Sequence, residues 1–399
     1  MLTYVMTEPI SKMAEPDDFP AKPVAEDSPM SLGRVVQFGS IVSTILLLAN
    51  ALVCATWSAF FGLPGWLAWQ AVPGLLAVTF VVTSIAGFRV SHPLVRAIHA
   101  LSASWLGVLN FAFFAAVACW IVAGIAGLAG LPWLRVWIGS FFFGLAFLTA
   151  AYGLINASWL RTTRVTISLR GLAESWQGRT IALVTDLHLG QIARQVFVRR
   201  ITARLRALKP DAVLISGDMF DGSPVELDRL AAPWSEFSAP RGIYYVTGNH
   251  DEFADRRLYI NAVKRTGIRV LNNEKISVDG LQIIGVHDSE AGDVGELRAI
   301  LRGVGIDPQR PSILLSHQPS NLSVAEEAGV SLQLSGHTHG GQLWPWNGLV
   351  SRLYGRFAYG LSRLGNLQVF TSNGASTWGP PLRVGTKSEV VLIRLEAAR

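Results

Sequence analysis

A chain of 399 residues, half of them hydrophobic and only 16% charged, points to two unlike parts, because soluble domains usually carry about 25% charged residues. The formal net charge of +6 is no nucleic-acid signature: acidic residues are missing from the apolar half, and no Lys/Arg run lies on one helix. Its expected consequence is a weak attraction for anionic lipid headgroups.

Residues 1–33 are rich in Pro, Asp and Glu and lack the basic region and small-residue cleavage site of a secretory signal. They are expected to form a disordered cytoplasmic tail. Residues 34–160 follow as a helical transmembrane domain. No Asp, Glu, Lys or Arg occurs between Arg34 and Arg89, between Arg96 and Arg135, or between Arg135 and Arg161. A helix needs about 20 apolar residues to cross a bilayer, so the first stretch is too long for one span, and Pro64-Gly65 divides it. The expected spans are 35–61, 66–88, 101–128 and 136–154, the last two separated by Gly130 and Pro132. Trp57, Trp66, Trp69, Trp133 and Trp137 lie near their ends, as interfacial aromatics do. Cys54 and Cys119 fall inside apolar runs and suit neither a zinc site nor a disulfide framework. Arg34, Arg89, Arg96, Arg161, Arg164 and Arg170 flank one side and only Arg135 the other, so both termini are expected in the cytoplasm. No span carries an acidic residue or Lys, which favours an anchor over a transport pathway.

Residues 161–399 change pattern. Short apolar runs at 181–185, 212–216, 243–247, 313–316 and 332–335 read as buried strands. Val198, Ile201, Leu205 and Leu208 recur at helical spacing until Pro210, and 275–286 reads as a hairpin turning at Asp279-Gly280. The alternation predicts an α/β domain with at least one mostly parallel sheet. Each run is followed by chemistry: Asp186 and His188; Asp218 and Asp221; Asn249, His250 and Asp251; His317; His337 and His339. Carboxyl ends of strands are where open α/β sheets build sites. Asp, His and Asn without Cys suit Mn, Fe or Zn rather than a thiolate site. A continuing strand would place Asp186 with His188, and His337 with His339, on one face. Seven ligands match two ions sharing a carboxylate, an arrangement suited to in-line phosphoryl displacement.

The ordered set Asp-x-His (186–188), Gly-Asp-x-x-Asp (217–221), Gly-Asn-His-Asp (248–251), His317 and Gly-His-Thr-His (336–339) resembles the calcineurin-like metallophosphoesterases. Its continuation through Gly340-Gly341-Gln342 and a basic-aromatic stretch to Gly379-Pro380-Pro381-Leu382-Arg383 is similar to their membrane-tethered bacterial branch, related to transmembrane proteins with a metallophosphoesterase domain. The likeness spans roughly residues 163–397. It implies a four-layer αββα sandwich. It also implies that Asp186, His188 and His339 hold one metal, that Asn249, His317 and His337 hold the second, and that Asp218 bridges them. His250 would meet the phosphate and protonate or stabilise the leaving oxygen, with Asp251 orienting it; Asp221 would support the site. Where relatives often read Pro-Glu this chain has Lys387-Ser388-Glu389, which touches loop geometry rather than a ligand. His287 and Asp288 also follow a strand, but His287 has no counterpart role. Aromatics from Trp344 to Tyr359 are interleaved with Arg352, Arg356 and Arg363 in a stretch expected to act as a lid. Arg352, Arg356 and Arg383 are the expected phosphate-binding arginines.

The expected activity is hydrolysis of a phosphoester or pyrophosphate in a lipid- or nucleotide-linked substrate at the bacterial inner membrane, catalytic domain inward. The branch includes UDP-2,3-diacylglucosamine diphosphatases of lipid A synthesis. Soluble or other lipid phosphoesters are the enzymatic alternative, and a membrane sensor with a regulatory metal domain is the non-enzymatic one. No nucleic-acid partner is expected.

Overall fold

The structure, a computed structural model, describes residues 32–62 and 66–398. The tail expected over residues 1–33 therefore falls, up to residue 31, outside the described residues, as does the Pro64-Gly65 break. Long uncharged runs become helices because an apolar surrounding forces each segment to satisfy its own backbone polar groups. They give α1 (Leu32–Phe61), α2 (Trp66–Gly87), α3 (Pro93–Leu128) and α4 (Arg135–Ser158). Helix α3 starts eight residues before the expected span at 101, because Pro93 takes its first turn and the His92 side chain accepts the Leu94 N–H. Among the described residues α1, α3 and α4 are long and apolar enough to cross a membrane; the searched part of α2, Ala71–Gly87, is shorter. Among the described residues, those up to Ile41 and those from Val42 onward fall into two units.

Small residues let the helices approach. Ala112, Ala115, Ala116, Ala146 and Ala150 are buried beside Val53, Phe60, Leu109 and Phe143. Two indole N–H groups cross from α3 to α1: Trp105 to Asn50 Oδ1 at 3.2 Å and Trp120 to Thr56 Oγ1 at 2.8 Å. Trp57 turns inward onto Phe143, ring centroids 4.9 Å apart, instead of facing an interface. Trp133 and Trp137 are exposed.

The remaining elements alternate: β1 (Arg161–Leu169), β2 (Thr180–Val184), α5 (Gln195–Leu208), β3 (Ala212–Ser216), α6 (Leu227–Ala231), β4 (Ile243–Val246), α7 (Arg256–Lys264), β5 (Arg269–Val270), β6 (Glu274–Val278), β7 (Leu281–Gly285), α8 (Asp288–Gly292), α9 (Val294–Gly303), β8 (Ser312–Leu315), α10 (Leu322–Glu327), β9 (Leu332–Ser335), α11 (Trp346–Tyr354), β10 (Gly360–Leu364), β11 (Leu367–Thr371) and β12 (Glu389–Ala397). They form two mixed six-stranded sheets, ordered β1-β12-β2-β3-β4-β5 and β10-β11-β9-β8-β7-β6. Helix α5 stops at Lys209, in left-handed conformation before Pro210. The β6–β7 hairpin turns at Asp279 and Gly280, both at positive φ. Leu183, Leu214 and Ile393 of the first sheet share one buried cluster with Ile283, Leu315 and Leu334 of the second. Separate clusters join the first sheet to α5 and α7 and the second to α9 and α10.

Candidate metal centre

Both sheets send their parallel strands toward the same edge, so the loops after β2, β3 and β4 meet those after β8 and β9. Ser216, closing β3, ties the two edges: its hydroxyl donates to the carbonyls of Ser316 (3.1 Å) and Leu334 (3.0 Å). The strands end before the ligands do. Asp186, His188, Asp218, His337 and His339 all have positive φ, a conformation that costs a non-glycine residue energy and clusters at functional sites. The expectation of one continuing strand face is thus corrected. Left-handed turns, not strand alternation, aim these side chains inward. Neighbouring glycines make room, since a Cβ on Gly248 would overlap Asp218.

Seven side chains expected as ligands converge. His188 and His339 bring their Nε2 atoms to 3.0 Å, with Asp186 Oδ1 3.9 Å from the first and 3.4 Å from the second. Asp218 Oδ2 lies 3.2 Å from His317 Nε2 and 3.7 Å from His188 Nε2. Asn249 Oδ1 is 3.0 Å from His337 Nδ1, and the His337 and His317 rings meet edge to face at 5.2 Å. Among the described residues three overlapping groups of possible ligands result: Asp186/His188/His339, Asp186/Asp218/His317 and His188/Asp218/His250, with ligand atoms in each group within 4.8 Å of one another.

This donor set fits divalent cations. His317 Nδ1 sits 2.8 Å from the Ser216 carbonyl, which fixes the proton on that nitrogen and leaves the Nε2 lone pair facing a carboxylate. Despite its 3.2 Å approach to Asp218, His317 Nε2 makes no properly directed hydrogen bond, and His188 Nδ1 has no hydrogen-bond partner. Buried lone pairs facing each other need a proton or a metal between them. Burial pushes His188 down to about 3, and His337 down to about 4 with His317 adding to it, so both imidazoles are neutral, as ligation requires. For His317 burial also pulls down, but the Asp218 carboxylate beside it wins and raises it well above the usual histidine range.

Supporting contacts differ from expectation. Asp251 does not orient the His250 ring. Its carboxylate accepts the backbone N–H groups of Met219 (3.1 Å), Phe220 (2.9 Å) and Gly248 (3.0 Å), locking the loops after β3 and β4 together. The His250 ring is held instead by the Asp221 carbonyl, 3.1 Å from Nδ1, and is flanked by Phe253 and Trp378. That leaves Nε2 for the cavity His250 lines. Asp221 keeps a supporting place, its carboxylate accepting from the backbone of Gln191 and Ser223.

Arg383 is fully buried behind the centre rather than in the cleft. Its guanidinium donates to the carbonyls of Asn373 (2.6 Å), His339 (3.3 Å) and Ser376 and lies 3.1 Å from His339 Nδ1. Its own backbone is clamped by α4: the Arg383 N–H donates to Gly153 O (3.0 Å), and Asn156 Nδ2 donates to the carbonyls of Arg383 and Thr386, both at 2.9 Å. Buried Leu382 fits against Gly107 of α3 and Gly153 of α4. Glu389 is buried too and accepts the Asn373 N–H at 3.1 Å. Arg352 and Arg356 are exposed on and just after α11 and do not line the cavity. His287 is a satisfied core histidine, accepting from Thr247 N–H at 3.2 Å and donating to Asn272 Oδ1 at 3.1 Å; Asp288 accepts from Gln318 at 3.1 Å.

Sequence reasoning missed the helix side of this site. Asn110 and Asn156 are polar residues inside apolar runs, a signal that could have flagged them. Asn110 Nδ2 donates to Trp344 O (3.0 Å) and its Oδ1 accepts from Trp346 Nε1 (2.8 Å), fastening α11 to α3. Between α2 and α3, Ser91 donates to Glu226, which also receives Arg194 and Arg229, each at 2.7 Å.

A family model described as calcineurin-like phosphoesterase matches residues 179–341. The chain is 32% identical over 223 residues to an uncharacterised metallophosphoesterase of Campylobacter jejuni, covering 55% of this chain and 59% of that one. It is 32% identical over 267 residues to a transmembrane protein with metallophosphoesterase domain of Danio rerio, covering 62% and 60%. An uncharacterised metallophosphoesterase of Aquifex aeolicus is 30% identical over 260 residues, which cover 63% of this chain and 98% of the relative. The chain spans about three-fifths of the first two relatives' length.

Proposed function

The chain belongs to the calcineurin-like metallophosphoesterases, and on that premise we propose that it hydrolyses a phosphoester or pyrophosphate bond in a membrane-associated substrate. Asp186, His188 and His339 would hold one divalent cation and Asn249, His317 and His337 another, with Asp218 shared. Two such ions supply activated water and neutralise charge on the reacting phosphoryl group. The protein's own part is to gather imidazoles and shielded carboxylates in one buried cluster, with His188 and His337 kept neutral by burial, and to hold His250 with its Nδ1 committed to Asp221. His250 Nε2 is then the atom that would meet the phosphate and, when it carries a proton, protonate or stabilise the leaving oxygen. The observation that carries this reading is the gathering of His188, His317, His339, Asp186 and Asp218 into overlapping buried groups of possible ligands.

UDP-2,3-diacylglucosamine is the first candidate substrate, a choice that rests on resemblance and on the attached helices. We read the helices as a four-span anchor in a bacterial inner membrane, the second half as a four-layer sandwich facing the cytoplasm. The test is the purified full chain in detergent with added Mn, assayed against soluble phosphodiesters, phosphomonoesters and lipid-linked diphosphates. Turnover of UDP-2,3-diacylglucosamine, with its accumulation in depleted cells, is the expected result. Turnover confined to soluble esters would move the assignment to a general phosphodiesterase or phosphatase, and no metal-dependent turnover at all would discard the hydrolase.

A further inference from the structure

Resting on that reading, we propose that the cleft between α1 and α3 binds the hydrocarbon chain of a phosphate-bearing amphiphile, which reaches the metal centre sideways from the bilayer. The cavity holding the centre has a volume of about 1150 Å³ and is two-faced. One end is made of His188, Asp218, Asn249, His250, His337 and His339. The opposite flank is made of helix side chains, among them Leu46, Ala49 and Leu52 of α1 and Leu106, Leu109 and Phe113 of α3. Asn110, the polar residue on that flank, already has both ends of its amide engaged by Trp344 and Trp346. A soluble nucleotide or sugar would gain nothing from such a wall, whereas an alkyl chain attached to the phosphate would leave water along it.

Depth agrees with this occupant. Helix α3 beyond Asn110, and α4 from Arg135 to Gly153, each run about 27 Å at 1.5 Å per residue, close to the ~30 Å hydrocarbon core. Placed across a bilayer, the helices put the cavity at one boundary of that core. Exposed tryptophans mark both levels: Trp344, Trp346 and Trp378 around the cavity, Trp133 and Trp137 at the far end of α4. Two such belts are what headgroup layers select. Leu349 and Leu353 of α11 are exposed beside the first belt, as on a helix lying in the interface.

The experiment uses the full-length chain with Mn at a fixed detergent ratio and a series of alkyl p-nitrophenyl phosphodiesters, methyl to dodecyl. We expect kcat/KM to climb with chain length, by up to about fourfold per methylene if each is fully buried. Leu109→Trp, which fills the cleft, should lower the dodecyl-to-methyl ratio at least tenfold. A flat series, or an unchanged ratio in the variant, overturns the proposal. A second measurement is independent of turnover: a dodecyl phosphonate with a terminal diazirine is photolysed on the protein and its adducts are mapped. Adducts on the cleft-lining Leu46, Ala49, Leu52, Leu106, Leu109 and Phe113, displaced by excess plain dodecyl phosphonate, support the cleft even if every ester resists hydrolysis, in which case the hydrolase reading fails alone. Adducts confined to outward-facing residues such as Leu47 and Trp120, or resistant to competition, overturn it.

Discussion

Asp218 accepts the backbone N–H of His250 at 2.9 Å while facing His317 and His188, so one carboxylate fixes the loops after β2, β3, β4 and β8 to a common point. Asp218→Asn halves the charge available to two cations. The variant should retain less than one metal ion per chain, by elemental analysis, and lose at least a thousandfold in kcat. His250→Ala should behave differently: metal content unchanged and kcat lower by about 10²–10⁴-fold. Equal metal loss in both variants would remove His250 from its non-ligand role. The convergence of these seven side chains was legible in the sequence because ligand chemistry is carried by residue type and by position after a strand. The partners of Asp251 and Arg383 were not. Each acts on backbone groups of other loops, and neither a motif nor a spacing records which N–H or carbonyl a side chain will meet.

Residues 382–386 form a strut with α4 on one side and His339 on the other. Asn156→Ala leaves the buried Arg383 carbonyl, at about 1–3 kcal/mol, and the half-buried Thr386 carbonyl without this donor, and Gly107→Val drives a branched side chain into Leu382. Both should lower the melting temperature in detergent, and Asn156→Ala should also weaken metal retention, read as faster loss of Mn to a chelator. Normal retention would show that the strut is only packing. The α2–α3 loop gives a pH prediction. Burial alone would raise Glu226, but Ser91, Arg194 and Arg229 hold it down to about 2 against an ordinary 4.5. A depressed carboxyl stabilises the fold above its unfolded value and stops doing so as pH falls through its folded one. The melting-temperature gap between wild type and Glu226→Gln should therefore be full above pH 4.5 and close toward pH 2; a pH-independent gap would refute the latch. Helix limits were legible to within about a turn except at α3, whose first two turns carry Arg96 and His99 and so fall outside an uninterrupted apolar run.

Two halves with opposite compositions meet around one cavity, and metal should bind both loops and strut together. Chelation should lower the melting temperature of the whole chain, and Mn should restore it in proportion to RT ln(1 + [Mn]/Kd), about 2.7 kcal/mol at a hundredfold excess over Kd. An unchanged transition would mean the centre is not part of the cooperative unit. The alternation of strands and helices was legible, but sheet order was not. Strand β12, at the C-terminus, lies between β1 and β2, a pairing across more than 200 residues that no local pattern encodes. The strut carries one more consequence. Because His339 hangs from α4 through Arg383, a tilt of that helix shifts a ligand. Membranes thinner or thicker than the helices' apolar length force tilting. Turnover in nanodiscs should accordingly peak at one acyl thickness and fall on either side, the response expected of a gauge of bilayer thickness.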